Sequence, residues 1–97
     1  MINVKFNFKK NFVEIKGHAE FDEFGKDIVC SAVSVLTQFV AEILKNEKSG
    51  KFKKKDGYLK INWTNNEMSD KLMKYLYDAL KSIEMSYPDN LKVEVNK

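Results

Sequence analysis

The chain contains one histidine and one cysteine, His18 and Cys30. A thiol beside an imidazole can do nucleophilic chemistry: the base takes the thiol proton and the sulfur attacks a carbonyl carbon. Histidine suits the role of base near neutrality, with an unperturbed pKa of about 6.5. Cys30 falls within the first turn or so of a helix predicted to begin at Lys26. A helix N-terminus carries partial positive charge and free backbone N–H groups, which favour a thiolate and can hold an oxyanion. Taken singly, each residue has a plainer reading. Cysteine is commonly buried as a small hydrophobe, and Ile28, Val29 and Ala32 would suit a buried helix start. A histidine that ends a strand commonly finds a backbone partner. Together they end one strand and begin the next helix, and a short loop can bring such ends within hydrogen-bond reach.

The neighbours admit two roles each. Asp27 precedes Cys30 by three positions on the same helix face, where it could orient the imidazole or cap the helix. Ser34, four positions after Cys30, could donate to the site or bond back to the Cys30 carbonyl. Gly17 would let a peptide or the loop approach the backbone closely. Gly25 is a candidate hinge for the loop over 19–26. Phe21 and Phe24 within it are a candidate lid or substrate contact, or an anchor on the core.

The elements that must position these residues follow from periodicity. Ile2, Val4, Phe6 and Phe8 alternate with polar residues and predict a strand. Residues 12–17 predict a second, with Val13 and Ile15 facing one way, and the short break between them predicts an antiparallel hairpin. From Lys26 to about Asn46 the spacing is helical, with a stripe of Val29, Ala32, Val33, Leu36, Phe39, Val40, Ile43 and Leu44. Its first half, small and apolar, is expected to be the more buried. Residues 52–55, Asp56-Gly57 and 58–63 predict a second hairpin. Asn65 and Asn66 can cap a helix over about 67–85, with a stripe of Met68, Leu72, Leu76, Ala79, Leu80 and Ile83. Pro88 cannot continue it. Leu91, Val93 and Val95 mark a last strand. The fold class is α+β in the order ββαββαβ, one domain over 1–97, two helices packed on one mixed or mainly antiparallel sheet.

Composition limits the function. All 17 basic residues are lysine and the net charge is +3. Without arginine there is no bidentate fork for phosphate or guanine, so direct nucleic-acid recognition is not expected. The Lys51, Lys53, Lys54 and Lys55 run reads as a solvated edge, or as attraction to ribosomal RNA. One Cys and one His argue against a structural metal, and no cofactor motif is present. A single Cys forms no intrachain disulfide and points to a reducing compartment, with cytoplasm as the default. No stretch is expected to cross a membrane. Two other classes stay open. One is a thiol-redox protein, weakened by the lack of a second Cys. The other is a non-enzymatic ribosome-associated module that uses the lysine-rich hairpin.

The run Gly17-His18-Ala19, a short loop, then Gly25-Lys26-Asp27-Ile28-Val29-Cys30-Ser31-Ala32-Val33-Ser34 resembles the signature of the ribosomal-processing cysteine protease family, Prp. The order of elements and the length agree with that family. The resemblance implies a bacterial Cys–His endopeptidase with His18 and Cys30 catalytic, and it matches Gly17, Asp27 and Ser34 to supporting positions. It further implies removal of an N-terminal extension from the large-subunit ribosomal protein numbered twenty-seven, cut after an apolar stretch ending in Phe-Ala. A homodimer and a loop that closes on substrate are also implied.

Overall fold

The computed structural model describes residues 1–17 and 26–96, with side chains described from residue 28 onward in the second segment. The elements are β1 (Ile2–Asn7), β2 (Phe12–Lys16), α1 (Lys26–Asn46), β3 (Gly50–Lys55), β4 (Tyr58–Trp63), α2 (Glu67–Ser86) and β5 (Leu91–Asn96). This is the predicted α+β order. The strands form one mixed sheet, β3-β4-β2-β1-β5. Both hairpins are antiparallel, β2 joins them by pairing antiparallel to β4, and β5 adds parallel to β1.

Alternation decides the two faces of the sheet. Ile2, Val4, Phe6, Val13, Ile15, Leu59, Ile61, Trp63, Leu91 and Val93 are buried on the side covered by the helices. α1 supplies Val29, Val33, Val40, Ala41 and Leu44, and α2 supplies Met73, Leu76 and Leu80. Burial of a side chain of this size stabilises by roughly 1.5–3 kcal/mol, so this one layer boundary carries most of the apolar driving force.

The element ends have local causes. Asn7 keeps the outward side of β1 but is buried there by the turn that follows, its Oδ1 accepting from the Lys9 and Lys10 backbone N–H groups at 3.0 and 2.9 Å. Phe8, just past the end of β1, stays on the helix side with its ring against Phe6, Trp63 and Tyr77, but at the border of the core, 36% exposed. Gly57 takes the positive φ of the β3–β4 turn, 68°. α1 ends through Lys48 at φ 54°, with the Ser49 N–H returning to the Leu44 carbonyl at 2.8 Å. Asn66 caps α2, its side chain accepting from the Ser69 N–H at 2.9 Å.

Three expectations for the helices are corrected. The second half of α1 is the more buried, with Thr37, Val40, Ala41 and Leu44 against the core, while Ile28, Val35 and Phe39 are more than half exposed. Phe39 therefore leaves the predicted stripe, because α1 is apolar on nearly all sides and periodicity alone could not choose the face. In α2, Met73 is buried and Met68 is 37% exposed. Finally, Ile28–Asn46 is long and apolar enough to cross a membrane, 19 residues with a mean hydropathy of 1.6, contrary to the expectation that no stretch would be. One side of this helix is packed on the sheet, as in a core helix.

Candidate active site

Cys30 lies one turn into α1, half-buried against the core. Its helix is set by Val29 and Val33, 0% and 2% exposed, which pin the start of α1 to the sheet. Cys30 thereby stands at the wall of a cavity of about 470 Å³ between α1, the end of β2 and the β3–β4 turn. Ile2, Ile15, Val33 and Leu59 give the cavity an apolar lining. Ser34, Gln38 and Lys54 line it as polar groups.

Gly17 lines the same cavity as Cys30, so the end of β2 and the start of α1 do meet at one site. Its φ is +111°, a conformation that side-chain-bearing residues rarely adopt. A Cβ on Gly17 would sit 2.5 Å from the Met1 carbonyl oxygen. The close approach that the glycine permits is thus made by the start of β1 rather than by the loop. The Gly17 N–H donates to the Gly57 carbonyl at 3.0 Å.

Ser34 shares the cavity with Cys30, and its Oγ accepts from Gln38 Nε2 at 2.5 Å. Among the described hydrogen bonds it has none back to the Cys30 carbonyl. Gln38 Oε1 in turn accepts from Lys54 Nζ at 3.2 Å, so Ser34, Gln38 and Lys54 bridge α1 to β3. Thr37, buried behind them, donates to the Val33 carbonyl at 2.8 Å. Periodicity had not singled out Gln38, Thr37 or Lys54. Spacing is the signal for Thr37 and Gln38, which follow Cys30 by about two helical turns on its own side; Lys54, on β3, carries no such signal.

His18, Phe21, Phe24 and Gly25 lie outside the described residues, and so does the Asp27 side chain; the Asp27 backbone belongs to the first turn of α1. Among the described residues no group of three His, Cys, Asp or Glu side chains could hold a metal ion.

The model of the family described as "Cysteine protease Prp" matches residues 1–92. A relative from Mycoplasma genitalium, the ribosomal processing cysteine protease Prp, is 58% identical over 31 residues, a stretch that spans 32% of this chain and 31% of that protein. Among solved structures, the essential ribosomal processing protease Prp from S. aureus, with a covalently linked product peptide, is similar with a TM-score of 0.84. It shows 24% identity, over 99% of this chain and all of that one. The same protease with a substrate peptide gives 0.81 at 21% identity, covering 98% and 97%. SMU.848 from Streptococcus mutans gives 0.75 at 24% identity, covering 97% and 90%. At these identities the three structures share the five-stranded, two-helix fold with this chain.

Proposed function

We propose, from the premise that this chain belongs to the cysteine protease Prp family, that it removes the N-terminal extension of the large-subunit ribosomal protein numbered twenty-seven. Cys30 is the nucleophile and His18 its base. The observation that carries the reading is the position of Cys30, half-buried at the wall of a 470 Å³ cavity beside Gly17, the residue that precedes His18.

The chemistry follows in balanced steps. His18 takes the Cys30 proton, and the sulfur attacks the scissile carbonyl. Backbone N–H groups early in α1 donate to the oxyanion. The C–N bond breaks, the amine leaves with the proton held by His18, and a thioester remains on Cys30. Water, activated by the same imidazole, then releases the new carboxylate and restores the thiol. Asp27 is assigned to orient His18 or to cap α1. Phe21, Phe24 and Gly25 are assigned to the loop that meets the substrate. The apolar lining from Ile2, Ile15, Val33 and Leu59 supports an apolar residue just before the cut.

The protein acts as a homodimer in the cytoplasm. Ile28, Val35 and Phe39, 53%, 68% and 63% exposed on one helix, support a second copy as the cover of that face.

The test is incubation of the protein with the organism's own ribosomal protein carrying its extension, with mass spectrometry to locate the cut. Cleavage at one bond by the wild type, and none by Cys30→Ala, is expected. Full-rate cleavage by Cys30→Ser would overturn the reading.

A further inference from the structure

The face of the sheet turned away from the helices gathers lysines that the sequence scatters. The strand registers align its side chains in three rows. Lys53, Lys60, Glu14, Lys5 and Glu94 form the middle row. Lys55, Tyr58, Lys16, Asn3 and Lys92 lie on one side of it, and Lys51, Asn62, Phe12, Asn7 and Asn96 on the other. Seven lysines and two glutamates share a surface about 19 Å across the strands, a net of +5 where the whole chain carries +3. Glu14 stands between Lys60 and Lys5, and Glu94 beside Lys5, so β3, β4 and β2 together hold Lys51, Lys53, Lys55, Lys60 and Lys16 against Glu14 alone.

Protection of an edge strand explains lysines on β3. It does not explain Lys60 and Lys16, which sit on the interior strands β4 and β2. Lys53 and Lys60 are directly opposed across β3 and β4, an arrangement that costs stability. Two aromatic rings stand among the lysines. Phe12 lies under the Lys60 ammonium at 4.5 Å, and Tyr58 donates to Glu14 Oε2 at 2.7 Å. They occupy opposite ends of the β2–β4 pair, about 13 Å apart along the strands. An open sheet face with an excess of cations is a surface that takes a single strand of nucleic acid by its backbone charge. Its excess charge repels a second copy of itself.

We propose that this face binds the phosphate backbone of single-stranded RNA without reading its bases. The lack of arginine bears on base reading and leaves this charge-driven mode available. The choice of RNA as the polyanion rests on the ribosomal substrate proposed above; the face itself does not depend on it.

The test is fluorescence anisotropy of a labelled oligouridylate titrated with the wild-type chain, with no peptide substrate present, so that binding and cleavage succeed or fail separately. One variant reverses Lys51, Lys53, Lys55 and Lys60 to Glu. A control reverses Lys10, Lys45, Lys71 and Lys74, which are exposed elsewhere. Circular dichroism checks that both fold. Four phosphates neutralised would give a slope of about −3 in log K against log salt, or roughly 60-fold between about 50 and about 200 mM. The face variant should lose at least about tenfold, and the control no more than about threefold. No binding by the wild type, an equal loss in the control, or capture by phosphatidylserine vesicles with the RNA left free would each overturn the proposal.

Discussion

The backbone N–H of Gly17 donates to the carbonyl of Gly57 at 3.0 Å, tying the end of β2 to the β3–β4 turn beside Cys30. The residue before His18 is therefore held by main chain on both sides: by Gly57 through this bond, and by Met1 through close contact. A glycine with φ of +111° makes that arrangement possible.

Gly17→Ala should destabilise the fold by about 1–3 kcal/mol, since a side chain is strained in that conformation. The Cβ would also meet the Met1 carbonyl oxygen. Urea unfolding measures the first effect. Peptide cleavage, scaled to the folded fraction, measures the second and should fall further than the lost stability explains. A variant with wild-type stability and rate would contradict the role given to Gly17.

The bridge of Ser34, Gln38 and Lys54 forms one rim of the Cys30 cavity. Gln38→Leu removes both of its side-chain hydrogen bonds. Gln38 and Lys54 are exposed, so stability should change by no more than about 0.5 kcal/mol. KM for the peptide should rise several-fold with kcat nearly unchanged, because the change touches the wall of the cleft and not the thiol. An unaltered KM would remove the bridge from the substrate site.

The positions of the elements were largely legible in the sequence, because alternation and helical spacing are local signals. The pairings of β2 with β4 and of β1 with β5 were not, since no local pattern encodes which strands meet across the sheet. The buried face of α1 was misread at Phe39 because apolar residues surround that helix. At the site, the structure sets Cys30 and Gly17 on one cavity, as their placement at a helix start and a strand end predicts, while His18 lies outside the described residues. Gln38, the partner of Ser34, stands four residues on along the same helix, whereas Lys54 reaches Gln38 only through the packing of β3 against α1.

The apolar strip of α1 gives a test of the proposed dimer. Val35→Glu with Phe39→Glu places two charges where side chains are 68% and 63% exposed in the single chain. Such surface changes cost the isolated fold little, about 0.5 kcal/mol or less each. Light scattering after size exclusion should show the wild type as a dimer and the variant as a folded monomer. A variant that stays dimeric would move the interface elsewhere.

Glu84 predicts an acid-dependent loss of stability. Its carboxylate accepts the Val93 N–H at 2.7 Å and pairs with Lys81 at 2.9 Å, while Lys81 Nζ donates to the Val93 carbonyl at 3.1 Å. These bonds fasten α2 to the edge strand β5. The Val93 N–H, and then the Lys81 ammonium, hold the Glu84 carboxyl below its ordinary value of 4.5. A depressed folded-state pKa means that the unfolded chain takes up its proton first as the solution is acidified. The stabilisation is therefore complete above the ordinary carboxylate range and is lost as the pH falls through the lower, folded-state value. Near neutrality Glu84→Gln should be less stable than wild type by about 1 kcal/mol, since a neutral acceptor replaces a charged one. Urea unfolding from about pH 7 down to about pH 3 should show the two proteins converging in acid. A difference that stays constant or widens as the pH falls would show that the charge of Glu84 is not what fastens β5.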